Sequence, residues 1–368
     1  MQVVKPRHAR LCSLAIYSNG RGSIAVSWML DEIREQPAVL ERTRKLEWPA
    51  LERLRRHFAR RKFSVVILVA RGTSDNAAQF GRYLVELTTG RVASLAAPSV
   101  HTLYRARLNL SNALVVGISQ SGETTDVNRV IGSCRRQRAF TVAITNFDRS
   151  TLARTADEVL LTHARAERSV AATKTYTSQL LLLYGVARAL GAPIRTADLE
   201  RLPELAAGAL RLEPSVPRLA GRYADMRRCV VVGRGLNYAN AFELGLKLME
   251  TCYVVAERFS PADFLHGPVA IVEPKFPVFV FVAPGVTQPS LLDLVAQLKK
   301  RKADVQVICG SGCQPRGVRA LVIPRRIPDL WTPIPYIIPG QLLAAHLAEA
   351  KGLNPDAPRF LKKVTRTL

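Results

Sequence analysis

Short apolar runs alternate with longer stretches of mixed polarity along most of the chain. The apolar runs are rich in β-branched side chains, which is typical of buried strands. They predict one series of strands at residues 64–69, 113–118, 140–145 and 158–161, and a second series at 228–232, 277–282, 304–309 and 320–323. The stretches between them are long enough to be helices. This alternation predicts parallel sheets with helices on both faces.

The two series resemble each other. Residues 66–72 (VILVARG) are similar to residues 229–235 (CVVVGRG), and a helix of similar length is expected after each, ending near Glu86 and Glu250. We therefore predict an α/β fold of two tandem three-layer αβα units, each with a mostly parallel, flavodoxin-like sheet. Residues 191–220, which are helical and punctuated by proline, are expected to join the halves.

The chain divides into four expected segments. Residues 29–205 and 206–350 form the two units, and residues 351–368 form a C-terminal tail. Residues 1–28 are basic and make a poor signal peptide, so we interpret them as a disordered extension or the result of a misassigned start codon. The six cysteines show no framework spacing, and this favours a reducing, cytoplasmic location.

Charge is the unusual bulk property of this chain. The 53 Lys and Arg against 29 Asp and Glu give a net charge of +24, which is compatible with a nucleic-acid or membrane-surface partner. However, the basic residues are spread along the chain without a nucleic-acid-binding signature. No apolar run approaches the roughly 18–20 residues that span a bilayer. We expect neither a membrane nor a specific nucleic-acid partner, and attribute the charge to a general preference for arginine together with an anionic substrate.

Residues 119–124 (SQSGET) carry the strongest chemical signal. They directly follow a predicted buried strand and precede a helix-compatible stretch, and Ser119, Gln120, Ser121 and Thr124 supply polar groups around a glycine. A strand, such a turn and a helix start together form an anion site. We expect no Lys or Arg near the turn, and no P-loop is present, so the sequence predicts a phosphorylated small molecule rather than a nucleotide triphosphate. The counterpart in the second half, Ala283-Pro-Gly, has no hydroxyl, which predicts one ligand per chain.

Two further clusters are weaker candidates. Gly72, Thr73 and Ser74 follow the first strand, although helix N-caps have the same composition. Residues 169–175 (SVAATKT) contain Thr173 as a possible ligand donor, and a plain helix start explains them equally well.

Three residues have side chains suited to chemistry. Glu250 lies close to apolar residues and can act as a base if it is buried, but a surface glutamate is the more common case. His266 precedes Gly-Pro and is suited to acid–base work, although lone histidines are more often structural. Lys363 follows Lys362, and a terminal lysine pair is normally solvated. No metal-ligand cluster is present, and we expect no metal or organic cofactor.

These motifs together resemble the SIS (sugar isomerase) domain family. The chain is similar to the isomerase half of glutamine:fructose-6-phosphate amidotransferase, and more so to stand-alone glucosamine-6-phosphate deaminases. The resemblance extends from Met29 to Leu368 and rests on residues 29–37, 72–74, 119–124, 170–174, 243–250, 266–268 and 360–365.

The resemblance implies residue roles. Glu250 moves a proton between C1 and C2 of the open-chain sugar. His266 assists ring opening in the neighbouring subunit, which requires a homodimer. Lys363 forms a Schiff base, with Lys247 in support. The residues implied to bind the sugar phosphate are Gly72, Thr73, Ser74, Ser119, Gln120, Ser121, Thr124, Val170 and Ala172.

The sequence departs from the family pattern at Ala172, Met249 and Asp263, where the family has serine, lysine and glutamate. These changes affect the expected identity of the sugar more than the expected class of reaction. The predicted function is isomerising deamination of an amino-sugar phosphate, glucosamine 6-phosphate foremost. The alternatives are ammonia-dependent synthesis, isomerisation without loss of nitrogen, deglycation of a fructosamine phosphate, and a non-catalytic sugar-phosphate sensor.

Overall fold

The computed structural model describes residues 27–363. Most of the predicted extension, residues 1–26, and the last five residues of the predicted tail lie outside this range. Ser27 accepts a hydrogen bond from the N–H of Leu30 and caps the first helix. The N–H groups of Trp28 and Met29 both donate to Asp356. These bonds tie the first described helix to the last described segment.

Each half of the chain contains one five-stranded sheet. The strands of the first sheet are β1 (Val65–Val69), β2 (Val92–Leu95), β3 (Ala113–Ile118), β4 (Phe140–Thr145) and β5 (Glu158–Leu161). Those of the second are β6 (Arg228–Val232), β7 (Val255–Phe259), β8 (Pro277–Val282), β9 (Asp304–Gly310) and β10 (Arg319–Ile323).

The two sheets have the same topology. Their strand orders are β2-β1-β3-β4-β5 and β7-β6-β8-β9-β10, and every described pairing is parallel. This is the doubly wound order of flavodoxin-like folds, in which ligands bind at the carboxyl ends of the strands. The predicted fold class is confirmed, and the eight predicted strands are present within a residue at each end.

Helices cover both faces of each sheet. Those of the first half are α1 (Trp28–Arg34), α2 (Gln36–Ala59), α3 (Thr73–Thr89), α4 (Pro98–Thr102), α5 (Thr125–Arg136), α6 (Thr151–Thr155) and α7 (Lys174–Ala189). The following helices are α8 (Thr196–Glu200), α9 (Leu202–Leu210), α10 (Val216–Arg222), α11 (Tyr238–Cys252), α12 (Pro261–Leu265), α13 (Gln288–Lys300) and α14 (Pro333–Ala350). Helices α3 and α11 extend two or three residues beyond their predicted ends.

One hydrophobic core is shared by the two halves. Alternate residues of β1 and β6, such as Leu68 and Val231, point into this core, while neighbours such as Val69 and Val230 point into separate outer cores. The inner faces pack on helices that contact each other across the junction, including α3 against α11. This packing brings the start of α3 and the side of α11 together.

Candidate active site

A cavity of about 320 Å³ lies at the carboxyl edge of the first sheet. The turns after β1 and β3 form one side, and α11 and the C-terminal segment form the other. Its lining residues are Arg71, Gly72, Thr73, Ser74, Ser119, Gln120, Ser121, Thr124, Val170, Ala172, Thr175, Glu250, Leu361, Lys362 and Lys363. Both halves of the chain therefore contribute to one cavity.

Residues 119–124, which we call the hydroxyl turn, connect β3 to α5. Ser119 Oγ lies 2.9 Å from Thr124 Oγ1 and accepts a hydrogen bond of 3.1 Å from the N–H of Gly122. Gly122 has a φ of 65°, and a Cβ on it would lie 2.1 Å from Ser150 Oγ, so a larger residue does not fit. Thr124 precedes α5 without capping it. Where Ser119 is the donor in their shared hydrogen bond, the Thr124 hydroxyl can donate, together with the start of α5, to an anion.

The turn after β1 adds a second set of hydroxyls. Gly72 has a φ of 59° and is followed at once by α3. Thr73 Oγ1 donates to Glu243 Oε1 at 3.2 Å and accepts from Lys247 Nζ at 3.1 Å. Thr73 therefore connects the cavity to two buried charges on α11.

Glu243, Lys247 and Glu250 lie on one face of α11, because residues three and four apart in a helix are neighbours. Lys247 is fully buried, and its Nζ lies 2.5 Å from Glu250 Oε2 and 3.5 Å from Glu243 Oε1. Burial alone lowers the pKa of a lysine, but the two carboxylates outweigh it and raise the pKa of Lys247. Lys247 is therefore a fixed cation beside Glu250, whose carboxylate reaches the cavity.

Glu243 joins the two halves from a fully buried position. Its Oε2 accepts a hydrogen bond of 2.7 Å from Asn76 Nδ2 on α3. Burial raises the pKa of Glu243 to about 7, and the neighbouring Lys247 and the Asn76 bond oppose this rise. Burial therefore makes this carboxyl easier to protonate than an exposed glutamate, while Lys247 favours its charged form.

Lys363 lines the cavity and is held in place by two hydrogen-bond acceptors. Its Nζ donates to Glu167 Oε2 at 2.8 Å and to the carbonyl oxygen of Ser169 at 2.7 Å. Burial raises the pKa of Glu167, but Lys363 and the N–H groups of Thr173 and Thr175 outweigh it, so the net pKa lies below its usual range. Glu167 is therefore a carboxylate that fixes the position of Lys363.

A second buried carboxyl group, Glu32, lies beside this anchor. It accepts hydrogen bonds from the N–H groups of Arg168 and Ser169. Burial raises the pKa of Glu32 to about 7, and the nearby charge of Glu167 raises it further. The two carboxyl groups beside Lys363 thus have pKa values shifted in opposite directions, upward for Glu32 and downward for Glu167.

The structure brings most of the candidate residues together. Eleven of the thirteen line the cavity, and Lys247 contacts Glu250 directly behind it. His266 does not line the cavity; it is exposed just after α12. Thr173 is buried and is not a lining residue, and Thr175 takes that place.

The expectation that no Lys or Arg lies near the hydroxyl turn is wrong. Arg71 and Lys362 line the same cavity, and Arg71 pairs with Asp126 of α5 at 2.8 Å. Sequence reasoning missed them because the turn itself carries no cation, whereas Arg71 follows a different strand. The adjacency of Arg71 to Gly72 was the available signal. Glu167 and Glu243 were also missed.

Other classes of site are not seen among residues 27–363. No group of three or more His, Cys, Asp or Glu lies together as possible metal ligands within that range. The five cysteines it contains are free thiols, including Cys309 and Cys313; Cys12 lies outside it. Within the same range no helix is long and apolar enough to cross a membrane.

Comparisons with known proteins agree with this geometry. The SIS domain family profile matches residues 61–188 and 222–323. The chain is 35% identical over 347 residues to the isomerising glutamine–fructose-6-phosphate aminotransferase of Pyrococcus horikoshii, covering 91% of this chain and 57% of that protein. The chain thus spans little more than half the length of such relatives.

Solved structures share the whole fold. The C-terminal domain of glucosamine-fructose-6-phosphate aminotransferase from Francisella tularensis superposes with a TM-score of 0.82 at 27% identity, covering 90% of this chain and 98% of that domain. A glucosamine-6-phosphate deaminase from Thermotoga maritima gives a TM-score of 0.76 at 22% identity, covering 93% of this chain and all of that one. The second likeness is one of fold alone.

Proposed function

The chain belongs to the SIS domain family, and from this premise we propose that it is a sugar-phosphate isomerase that releases ammonia from an amino-sugar phosphate. Glucosamine 6-phosphate is the foremost substrate. The observation that carries the proposal is that Glu250 reaches the same cavity as the hydroxyl turn. A phosphate at the hydroxyl turn leaves the sugar carbons to extend toward α11, where a carboxylate is available.

The reaction balances without an oxidant or reductant. After ring opening, Glu250 removes the proton from C2, and the C1 aldehyde becomes an enol conjugated to the amine. Glu250 then delivers a proton to C1, which leaves a hydroxymethyl group at C1 and an imine at C2. Water adds to C2 and ammonia departs, giving fructose 6-phosphate. One carboxylate can serve both carbons because they are adjacent.

Lys247 and Lys363 have different tasks in this proposal. Lys247 is buried and charged beside Glu250 and Thr73, so it orients the Glu250 carboxylate and stabilises the negative charge that develops on the enol oxygen. Lys363 lines the cavity itself. Its amine can condense with the C2 carbonyl of the ketose, releasing water and forming a Schiff base.

His266 is proposed to act across a homodimer. It is exposed and lies outside the cavity of its own chain, which is compatible with insertion into the cavity of a second copy. In that place it would move the proton that opens the sugar ring. The proposed assembly is a two-fold dimer with two equivalent sites.

The similarity to known relatives supports sugar-phosphate isomerisation more strongly than it supports deamination. An isomerising aminotransferase at 35% identity covers 91% of this chain, so sugar-phosphate isomerisation is the coarser proposal. Deamination is the finer one, because it uses the same C1–C2 proton transfer followed by hydrolysis.

The test is release of ammonia and fructose 6-phosphate from glucosamine 6-phosphate. We expect equal amounts of both products from the wild type and a loss of about 10²–10⁴-fold for Glu250→Gln, the usual range for a general base. Interconversion of glucose 6-phosphate and fructose 6-phosphate, with no ammonia released from glucosamine 6-phosphate, would replace the deaminase with a plain isomerase. No turnover, combined with thermal stabilisation by glucosamine 6-phosphate, would identify a sensor.

The trans role of His266 has a separate test. Homodimers of Glu250→Gln and of His266→Asn are both expected to be inactive. When they are mixed and allowed to exchange subunits, one site of each heterodimer regains both groups and activity returns. If mixing restores nothing although exchange is shown by mass, His266 acts within its own chain or not at all.

A further inference from the structure

A second cavity, of about 980 Å³, lies in the first half of the molecule and shares no lining residue with the active-site cavity. We call it the basic groove. Helices α4 and α5 and the loop after α4 form its walls. Its lining residues are His101, Thr102, Arg105, Ala106, Arg107, Asn128, Arg129, Gly132, Ser133, Arg136, Gln137 and Thr155.

The basic groove concentrates positive charge. Arg105, Arg107, Arg129 and Arg136 line it, no carboxylate does, and none of the four forms an ion pair with another residue in the range 27–363. Arg135, which precedes Arg136 in helix α5, instead forms an ion pair with Asp157 at 2.8 Å. Guanidinium groups that line one cavity without carboxylate partners can bind phosphate through paired N–H donors.

The loop that carries two of these arginines is fixed on α5. The N–H of Leu108 donates to Gln137 Oε1 at 2.8 Å, and the N–H of Ala106 donates to the carbonyl oxygen of Val100 at 3.0 Å. Arg105 adopts a φ of 52°, an uncommon conformation for a non-glycine residue. The groove is therefore shaped before any ligand enters it.

Asn128 connects the basic groove to the hydroxyl turn. It lines the groove from α5, and its Nδ2 donates to the carbonyl oxygen of Gly122 at 3.1 Å. Its Oδ1 is buried and has no hydrogen-bond partner within the described chain, and the same holds for Nδ1 of His101. Buried polar atoms are normally satisfied. Asn128 Oδ1 can only accept a hydrogen bond, so its missing partner is a donor and not a phosphate oxygen, whereas Nδ1 of His101 can donate to an anion when it carries the proton.

We infer that the basic groove binds a diphosphate group, as inorganic diphosphate or as part of a nucleotide, and that occupancy changes sugar-phosphate binding at the hydroxyl turn through Asn128. Four arginines exceed what a single phosphate needs. The volume falls within the range of about 300–1,000 Å³ typical of small-molecule sites. The four arginines are solvent-exposed and line a single concavity, which favours a compact anion over a nucleic-acid strand.

Binding is tested by calorimetry at fixed ionic strength with inorganic diphosphate and, in a second arm, ADP. The wild type is expected to bind, and Arg129→Gln/Arg136→Gln to bind at least about tenfold more weakly, since charged hydrogen bonds are lost. The control is Arg135→Gln, which removes one charge from the same helix outside the groove and is compared with the single variant Arg136→Gln. Tighter binding of ADP than of diphosphate identifies a nucleotide as the source.

Several results overturn this assignment. One is an absence of binding by both probes at millimolar concentration. Another is an equal loss of diphosphate affinity in Arg135→Gln, which would mean that binding depends only on net charge. A loss in Ser119→Ala instead places the anion at the hydroxyl turn. If affinity rises with the length of an RNA oligomer and exceeds that of ADP, the groove is part of a nucleic-acid surface.

The coupling to the hydroxyl turn rests on the proposed function, but it can be measured without turnover. Diphosphate is expected to change the affinity for glucosamine 6-phosphate, and glucosamine 6-phosphate to change that for diphosphate by the same factor. Asn128→Leu should keep diphosphate binding and lose this linkage. If the wild type binds diphosphate but the affinity for glucosamine 6-phosphate does not change, only the coupling is refuted. If the enzyme releases no ammonia but each ligand still changes the affinity for the other, only the proposed reaction is refuted.

Discussion

The two halves of this molecule have the same strand order but different side chains at the carboxyl edge of the sheet. After β3 the first half has the hydroxyl turn, whereas after β8 the second half has Ala283-Pro-Gly. Thr124 precedes α5 and Thr287 precedes α13, and neither side chain caps its helix. The shared topology therefore positions an edge site twice, but only the first half has the hydroxyl side chains of the proposed anion site.

The second half contributes through a different part of the same element. Helix α3 of the first half presents its start to the cavity through Thr73 and Ser74, while α11, its counterpart, presents its final turn through Glu250. The repeat thus divides the proposed work: the first half binds the phosphate, and the second half supplies the base. The packing of α3 on α11 makes this division possible.

The largest effect is expected at Lys363. Incubation with fructose 6-phosphate and borohydride should attach a reduced sugar to the wild type, detectable by mass, and Lys363→Arg should give no adduct. Arginine keeps a cation beside the buried Glu167, so the fold is retained, but it forms no stable Schiff base. Lys362→Arg, the adjacent lining residue, is the control and should still be labelled. Equal labelling of both variants would contradict the role of Lys363.

The paired threonines test the asymmetry directly. Thr124→Val should weaken binding of glucosamine 6-phosphate by about 10-fold or more, because a hydrogen bond to a charged group contributes about 1.5–3 kcal/mol. Thr287→Val removes the hydroxyl at the same position of the second half and should leave affinity unchanged. Calorimetric titration measures both. A similar loss in the two variants would mean that the halves are equivalent binding sites.

The smallest effect concerns the contact between the halves. The pKa of Glu243 in the folded protein is about 7, against an ordinary value of 4.5, so the folded state binds more protons between these values. The free energy of unfolding should therefore fall as pH rises from 4.5 to 7, by roughly 1–3 kcal/mol for this group. Glu32 has a similar shift and adds to the same slope.

Thermal melts across this pH window measure the effect. Glu243→Gln and Glu32→Gln should each reduce the slope, and the slope that remains when both are replaced is due to the other carboxyls whose pKa burial raises, Asp329 and Asp75. Below pH 4.5 the lowered pKa of Glu167 acts in the opposite direction, so stability should fall again as pH falls. A wild-type slope that Glu243→Gln leaves unchanged would show that this carboxyl is ionised throughout.

Local patterns predicted much of this architecture. The central strands were found because they are buried on both faces and uniformly apolar, as in β3 and β8. The edge strands β2 and β7 were missed because exposed and buried positions mix along them. The hydroxyl turn was predictable because a strand and a helix start flank it directly.

The deeper parts of the site depend on packing between distant segments. Glu243 meets Thr73 and Asn76 only because α3 packs on α11, and Lys363 meets Glu167 only when the C-terminal segment crosses the first half. No local signal marks these pairs. The same reason explains the missed Arg71, whose neighbour in space, Asp126, follows another strand.

The division of work between the halves is tested most directly by titrating glucosamine 6-phosphate into Glu250→Gln and Ser119→Ala and assaying ammonia release from the same preparations. The account predicts that Glu250→Gln binds within about threefold of the wild-type affinity while its turnover is lost. Ser119→Ala should bind at least about tenfold more weakly. If Glu250→Gln instead loses binding as severely as Ser119→Ala, or still releases ammonia at the wild-type rate, the second half does not supply the base.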